Sequence, residues 1–238
     1  MNPYTQLLNR KRTWQPVQTT AGKVKEGAEE TIYRALAMRH MELPVGDFIQ
    51  DALKTDVPEA SRDLLVSNIK DEEKHDLALG YIANSFGVDE KAEAEAHRLR
   101  EAWTAHPDHT VLKAMVAERA IFFVLLPFMR FNGDPGMRTV SADISRDEQV
   151  HVGCNSLICR EMGLKISPSL DKLRKATINW VMQPLGINTQ DRYLDKKFWL
   201  DQSDSLMYAG KAEGLLETQR ARMPAFFEHS NVNLPQYA

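Results

Sequence analysis

The sequence lacks the features that mark a secreted, membrane-spanning or nucleic-acid-binding protein. Its N-terminal segment has no apolar core like that of a signal peptide, and no run of about eighteen uncharged apolar residues occurs anywhere. The formal net charge is only -3 and both charge signs are interspersed, so nothing favours nucleic acid or an anionic membrane as a partner. We therefore expect a cytoplasmic protein whose partners are small ligands or other proteins.

Cysteine is also scarce, and its placement argues against a disulfide framework. The two cysteines, Cys154 and Cys159, lie five positions apart in a segment with helical periodicity, so their side chains do not face each other. We interpret both as reduced residues that pack inside the fold.

Strand signals are almost absent, whereas apolar residues recur at helical spacing through most of the chain. The pattern therefore predicts an all-α protein. Four long helices are expected at about 22–43, 58–87, 110–131 and 139–162, with further helices near 89–103, 168–183 and 189–222. Pro44 and Gly46 should kink or end the first of them, because proline lacks the amide donor.

The chain should form one domain followed by a tail. Its length suits one large domain with a substantial core, and we expect residues 1–223 to form that single domain. Residues 224–238 contain two prolines and little periodicity, so they are expected to form a flexible C-terminal tail.

Two segments carry the pattern Glu-x-x-His, each in the middle of a predicted long helix. They are Glu72 with His75 and Glu148 with His151. A spacing of three places both side chains on one helix face, where a carboxylate oxygen and an imidazole nitrogen can bind the same metal ion. A single Glu-x-x-His pair is weak evidence for a metal site, because both residue types are common on helix surfaces. Two such pairs, each in the middle of a long helix, fit a four-helix di-metal site, which needs one further glutamate from each of the other two helices.

Glu118 and Glu42 are the glutamates that best complete such a site. Glu118 interrupts the most apolar stretch of the chain, where a lone ionised carboxylate would be costly without a counter-charge. Among the carboxylates of the first helix, only Glu42 repeats the 30-residue separation between Glu118 and Glu148. The alternatives there are Glu26, Glu29 and Glu30, and Glu42 itself has a second reading as a surface residue beside a proline. With Glu42, one constant offset of 76 relates Glu42, Glu72 and His75 to Glu118, Glu148 and His151.

The ligand set indicates the class of metal. Neutral imidazoles combined with carboxylates suit iron or manganese, whereas a structural zinc site more often uses thiolates. Four carboxylates neutralise two divalent ions, and a pair with open coordination positions can bind and reduce dioxygen. Asp147, next to Glu148, is a candidate to hydrogen-bond a ligand and tune the metals. The same ligands would accept Mn/Fe, Fe/Fe or Mn/Mn.

Residues 144–151 read ISRDEQVH and closely resemble the ISRDE-x-x-H signature of the small, radical-generating subunit of class I ribonucleotide reductase. Residues 117–123, AERAIFF, look like that family's V-E-G-I-F-F segment, and residues 14–16, WQP, resemble its W-R-P element. The resemblance covers the four ligand helices well and the C-terminal third only loosely. It implies a ferritin-like four-helix bundle core with additional C-terminal helices, and an oxidoreductase role in making deoxyribonucleotides for DNA replication.

The resemblance also implies partners and a route for electrons. Trp14, Asp147 and His75 would form a relay to the metal site, although Trp14 has a second reading as a core residue. The chain would form a homodimer and act with a separate large catalytic subunit, which the C-terminal tail would bind. Tyr237 is the candidate for the redox-active tyrosine of that tail, and an inert chain end is the alternative.

One departure from the family concerns the stored radical. Most members place a radical-bearing tyrosine four residues after the first Glu-x-x-His histidine, where this chain has Leu79, and Tyr81 lies on another helix face. Some members lack the tyrosine and keep the oxidising equivalent on a manganese–iron pair, so the resemblance favours Mn/Fe. We expect Phe122, Leu126 and Ile144 to pack around Leu79. The chain is also short for the family, which implies a compact variant.

Three other readings are open at this point. A stand-alone di-iron oxygenase or oxidase would use the same ligands on a small organic substrate and would need a substrate channel. A ferritin-like iron store would assemble into a cage. A degenerate protein without metal is disfavoured, because all six ligand positions are present.

Overall fold

The computed structural model describes residues 2–208, and these residues form the all-α fold that the sequence predicts. Apart from one parallel bridge between Gly186 and Asp195, this part of the chain contains no β-structure. The helices are α1 (Pro3–Leu8), α2 (Glu29–Ala37), α3 (Glu42–Ala52), α4 (Arg62–Phe86), α5 (Glu90–Ala105), α6 (Thr110–Ala117), α7 (Phe123–Asn132), α8 (Pro135–Glu161), α9 (Pro168–Val181) and α10 (Lys196–Tyr208).

The core is a four-helix bundle. Helix α3 packs on α4 and α6, while α8 packs on α4, α6 and α7, so that α6 and α7 together act as one bundle helix. Helix α5 covers α2, and α9 and α10 pack against the α6–α7 side. The prediction of a ferritin-like bundle with additional C-terminal helices is confirmed. No helix within residues 2–208 combines the length and the apolar character needed to cross a membrane.

The prediction for the first long helix is wrong in two respects, namely where the helix begins and that it is continuous. Helix α2 begins at Glu29 rather than near residue 22, because Gly27 has a left-handed φ of 83° that a helix does not continue through. A 3₁₀ turn, Met38–Met41, then separates α2 from α3. Pro44 does not kink α3, since it is the third residue of that helix, where its missing amide donor has no intrahelical acceptor to lose.

The third predicted helix contains a π-helical turn that the sequence did not indicate. Residues Glu118–Phe122 form this turn between α6 and α7. A π turn adds one residue to a helical turn and is frequent at functional sites. It begins at the glutamate that the sequence singled out, Glu118.

Local backbone and capping chemistry sets two further helix ends. Helix α8 starts at Pro135, four residues before its predicted start, because the Asp134 side chain accepts a hydrogen bond from the Met137 amide at 2.8 Å. Helix α4 ends before Gly87, whose φ is 103°. The last predicted helix begins at Lys196. Its continuation beyond residue 208 and the predicted tail 224–238 lie outside the described residues.

The N-terminal segment crosses the bundle instead of leading away from it. It contains the short helix α1, which the sequence did not predict and which packs on α4 and α8. Gly153 allows this approach, because a Cβ atom there would lie 3.1 Å from the Leu7 side chain. The segment that follows α1 is thereby held beside the middle of α4 and α8.

Two glycine substitutions should change stability in opposite directions. A Cβ at Gly133 would overlap the backbone of Met129 and lie 2.7 Å from the Met137 Cβ, so Gly133→Ala should lower the free energy of unfolding by about 1–3 kcal/mol. Gly80 lies inside α4, and a Cβ built there would have no atom of another element or side chain within 4 Å. Gly80→Ala should therefore raise the free energy of unfolding by about 0.5–1 kcal/mol, because alanine is favoured over glycine inside a helix. Urea unfolding followed by circular dichroism measures both values. Shifts of the same sign would contradict this packing.

Candidate metal centre

Six titratable side chains meet in the middle of the bundle, and each is at most 1% exposed. Helix α3, helix α4, the π turn and helix α8 supply them. They are Glu42, Glu72, His75, Glu118, Glu148 and His151. One potential ligand atom from each of Glu42, Glu72, His75 and Glu148 lies within 4.8 Å of the others, and the same holds for Glu72, Glu118 and His151. The structure thus brings all six predicted residues together around two adjacent positions.

Glu72 and Glu148 each face both histidines. Glu72 places Oε2 3.4 Å from His75 Nδ1 and Oε1 2.9 Å from His151 Nδ1. Glu148 places Oε1 3.5 Å from His75 Nδ1 and Oε2 3.6 Å from His151 Nδ1. This arrangement suits two carboxylates that bridge a pair of ions.

Glu42 and Glu118 face one histidine each. Glu42 Oε2 lies 3.7 Å from His75 Nδ1, and Glu118 Oε1 lies 3.8 Å from His151 Nδ1. They are therefore suited to be terminal ligands, one at each end of the cluster.

The inward-facing atoms of the cluster have no hydrogen-bond partners among the residues that the structure describes. Both carboxylate oxygens of Glu42, Glu72 and Glu148, as well as one oxygen of Glu118, are buried without such a bond. The Nδ1 atoms of His75 and His151 are likewise buried without a hydrogen bond. Buried polar groups are normally satisfied, and ionised ones are costly when they are not. Oxygen and imidazole donors that converge without partners fit a pair of divalent cations, and a dinuclear iron or manganese centre suits this donor set.

The outward-facing nitrogen of each histidine meets an aspartate. His75 Nε2 lies 3.3 Å from Asp147 Oδ2, and His151 Nε2 lies 3.1 Å from Asp71 Oδ2. Such contacts orient a ligating imidazole and leave Nδ1 for the metal. Sequence analysis named Asp147 but missed Asp71, although the same offset of 76 relates the two residues. Asp71 is in turn paired with Lys11 and, at 2.7 Å, with Lys74.

Trp14 lies against this outer layer. Its Nε1–H donates a hydrogen bond of 2.7 Å to Asp147 Oδ2, and its ring stacks on that of His75 with 6.2 Å between centroids and 16° between planes. The Lys74 ammonium sits 5.1 Å from the centroid of the indole. The three predicted relay residues therefore form one hydrogen-bonded chain from a half-buried indole to the cluster. Their role in electron transfer stays a prediction.

Burial and mutual contacts shift the pKa values of the cluster. Burial raises the pKa of Glu42 and of Glu118 well above the ordinary value. Burial alone would lower the pKa of His75 and His151, but the surrounding carboxylates raise both. For Glu72 burial opposes ionisation, and the two neighbouring imidazoles overcome it and lower the pKa to about 2.

Position 79, where the radical tyrosine would stand, is a buried leucine. Leu79 is 2% exposed, and the residues predicted to pack around it, Phe122, Leu126 and Ile144, are buried as well.

One amide near the cluster was not predicted from the sequence: Asn155 donates a hydrogen bond of 2.7 Å to Glu118 Oε2. Tyr237, the other predicted redox residue, lies outside the described residues.

A surface cavity of about 570 Å³ opens beside the outer layer, between the N-terminal segment and α8. Asp147 forms part of its lining, and none of the six cluster residues does. Four arginines surround it, namely Arg10, Arg12, Arg146 and Arg160. The cavity therefore lies next to Asp147, the residue that binds both Trp14 and His75, although Asp147 itself is only 1% exposed.

The fold and the cluster together define a class of protein, the ferritin-like helical bundles that can hold two metal ions between carboxylates and histidines. Within that class, the chain is similar in fold to the structure of a Bacillus halodurans protein provisionally assigned as a class I ribonucleotide reductase. The TM-score is 0.64 at 13% sequence identity, and the match covers 96% of this chain and 97% of the other. No family model and no curated protein matches the sequence.

Metal binding by the cluster should release protons. Glu42, Glu118, His75 and His151 retain protons to higher pH in the metal-free fold than they would in water, and a metal ion binds only their deprotonated forms. Manganese affinity should therefore increase as pH rises. Calorimetric titration in two buffers of different ionisation enthalpy counts the protons released. An affinity that falls with rising pH would contradict this account.

The metal-free protein should show the opposite pH trend in its stability. Groups whose pKa is raised by folding stabilise the fold below their unfolded pKa, and that stability is lost as pH rises through the folded value. The melting temperature of metal-free protein should thus begin to decline above about pH 4.5, the ordinary value for Glu42 and Glu118, and decline further above about pH 6.5, the ordinary value for His75 and His151. The difference in melting temperature between metal-loaded and metal-free protein should widen over the same range.

Proposed function

We propose that this chain is the small subunit of a class I ribonucleotide reductase, in a compact form without the radical tyrosine. It would activate dioxygen at a dinuclear centre held by Glu42, Glu72, His75, Glu118, Glu148 and His151. A separate large catalytic subunit would receive the oxidising equivalent and make deoxyribonucleotides. The fold similarity supports the superfamily, and the finer assignment rests on the site.

The observation that carries the proposal is the hydrogen-bonded chain from Trp14 through Asp147 to His75. The cluster is buried, so single electrons can reach or leave it only along a path through the protein. A subunit that exchanges single electrons with another protein needs such a path. The indole at the outer end is half-buried and lies beside Asp147, which lines the surface cavity.

The six ligands would accept several pairs of iron and manganese ions, and manganese with iron is proposed because Leu79 stands where most members of the family that the sequence resembles have the radical tyrosine. When bound, such a pair supplies dioxygen reduction and a one-electron oxidising equivalent. Leu79 cannot carry that equivalent, because a saturated hydrocarbon is not oxidised to a stable radical. The surrounding apolar residues keep water away from this side of the cluster.

The residues of the relay have distinct tasks in this proposal. Asp147 Oδ2 accepts the hydrogen bond from Trp14 Nε1, so it is placed to hold that proton when the indole is oxidised. Hydrogen bonds from Trp14 and His75 offset the burial of the carboxylate and keep the pKa of Asp147 below its ordinary value. Lys74, which contacts both Asp147 and the indole ring, adds a nearby positive charge.

The remaining parts of the proposal concern segments and partners beyond this site. Residues 1–223 would form one domain, and residues 224–238 would bind the catalytic subunit. Tyr237 would continue the electron path in that tail. A homodimer is expected from the family that the sequence resembles.

Activity with the partner tests the proposed function. Protein reconstituted with manganese and iron and exposed to dioxygen should give an oxidised manganese–iron signal in electron paramagnetic resonance. With a class I catalytic subunit it should then reduce ribonucleotides. Oxidation of a small organic compound without that subunit would instead identify an oxygenase, and a multi-subunit cage in sedimentation would identify an iron store.

A substitution at Trp14 tests the relay. Trp14→Phe removes the N–H donor to Asp147 and the easily oxidised indole but keeps an aromatic ring, so metal content and melting temperature should change little. Ribonucleotide reduction with the catalytic subunit should be abolished. Trp180→Phe is the matched control, because Trp180 is also half-buried but contacts Arg34 instead of the relay. Retained activity in Trp14→Phe would exclude this route.

A further inference from the structure

The two ends of the cluster differ at one pair of equivalent positions. The offset of 76 relates Glu42 to Glu118, Asp71 to Asp147, Glu72 to Glu148 and His75 to His151. It also relates Leu79 to Asn155, each of which stands four residues after a cluster histidine. Residues four apart share a helix face, so these two side chains accompany the two histidines. One is a hydrocarbon and the other an amide.

Asn155 restrains the terminal carboxylate at its end of the cluster. It is fully buried, and its Nδ2 donates a 2.7 Å hydrogen bond to Glu118 Oε2. In the ionised form that binds metal, the Glu118 carboxylate only accepts hydrogen bonds, and the amide nitrogen is the group that donates to it. Glu118 Oε1 is left without a hydrogen bond, 3.8 Å from His151 Nδ1. One oxygen is thus fixed by the protein and the other is available to an ion.

Leu79 gives no such restraint at the opposite end. Its side chain has no donor, and within residues 2–208 neither oxygen of Glu42 forms a hydrogen bond. Both oxygens of Glu42 are therefore available to an ion, and the carboxylate can bind through one or both of them. The same ligand type thus has a fixed orientation at one end and a free one at the other.

We infer that Asn155 is a positioning residue that makes the two ion positions inequivalent, so that the position with Glu118 and His151 binds its ion more tightly than the position with Glu42 and His75. A hydrogen bond to an ionised carboxylate stabilises the form that binds metal and removes the cost of orienting it. Loss of such a supporting contact typically lowers metal affinity by about 10- to 100-fold. The inference rests on the proposed dinuclear centre and deepens it.

Manganese(II) titration of the full chain without dioxygen tests the inference. Free manganese, measured by electron paramagnetic resonance, should reveal two ions per wild-type chain that bind in two steps of different affinity. Asn155→Leu, which installs the residue present at the equivalent position, should weaken the tighter step by about 10- to 100-fold and leave the weaker step unchanged.

Two further variants make the result specific. Leu79→Asn should strengthen the weaker step, because the new amide would reach Glu42 as Asn155 reaches Glu118. Asn132→Leu removes a buried amide that donates only to the carbonyls of Phe128 and Tyr193, and it should leave both steps unchanged.

The possible results separate this inference from the proposed centre. Two wild-type ions with both steps unchanged in Asn155→Leu, or weakened equally, would overturn the inference and leave the dinuclear centre standing. A wild-type chain that binds no manganese would overturn both. If Asn155→Leu loses its helical circular dichroism, Leu79→Asn decides alone: a strengthened weaker step supports the inference, and an unchanged one overturns it.

Discussion

Burial of four carboxylates among two imidazoles in the middle of a helical bundle is the constraint on which this structure depends. Each carboxylate is taken out of water, and most of their oxygens have no hydrogen-bond donor within the described residues. Apolar helices alone cannot compensate that cost. Two divalent ions would, because their four positive charges balance four carboxylates at the point where the free oxygens and Nδ1 atoms converge.

The residues around this centre support its two histidines in equivalent ways, but the N-terminal segment contacts the two sides differently. Asp71 and Asp147 each contact the outer nitrogen of a histidine on the opposite helix, so α4 and α8 hold each other's ligands. The N-terminal segment breaks the equivalence. It pairs a lysine with Asp71 and a tryptophan with Asp147, so that, within residues 2–208, a hydrogen-bonded tryptophan is joined to the His75 side and a lysine to the His151 side.

Much of this organisation could be predicted from the sequence, because it depends on spacing along helices. The paired Glu-x-x-His segments and the offset of 76 were sufficient to identify the six residues that meet in the bundle, and helical periodicity was sufficient for the fold class. Asp71 obeys the same offset and could have been found by extending the comparison by one position. Asn155 obeys it as well, but its partner position holds leucine, so no repeated residue type marked it.

Other features depend on tertiary contacts that have no periodic signal. The π turn at Glu118 changes the helical register within a segment where every residue is buried, so that periodicity carries no information. The contact of Lys11 with Asp71 joins residues 60 positions apart.

The most direct test of the account is anomalous X-ray diffraction at the manganese and iron edges from crystals of the reconstituted protein. We expect two metal peaks, bridged by Glu72 and Glu148 with His75 and His151 at opposite ends, whereas one peak, or ions bound elsewhere, would contradict it.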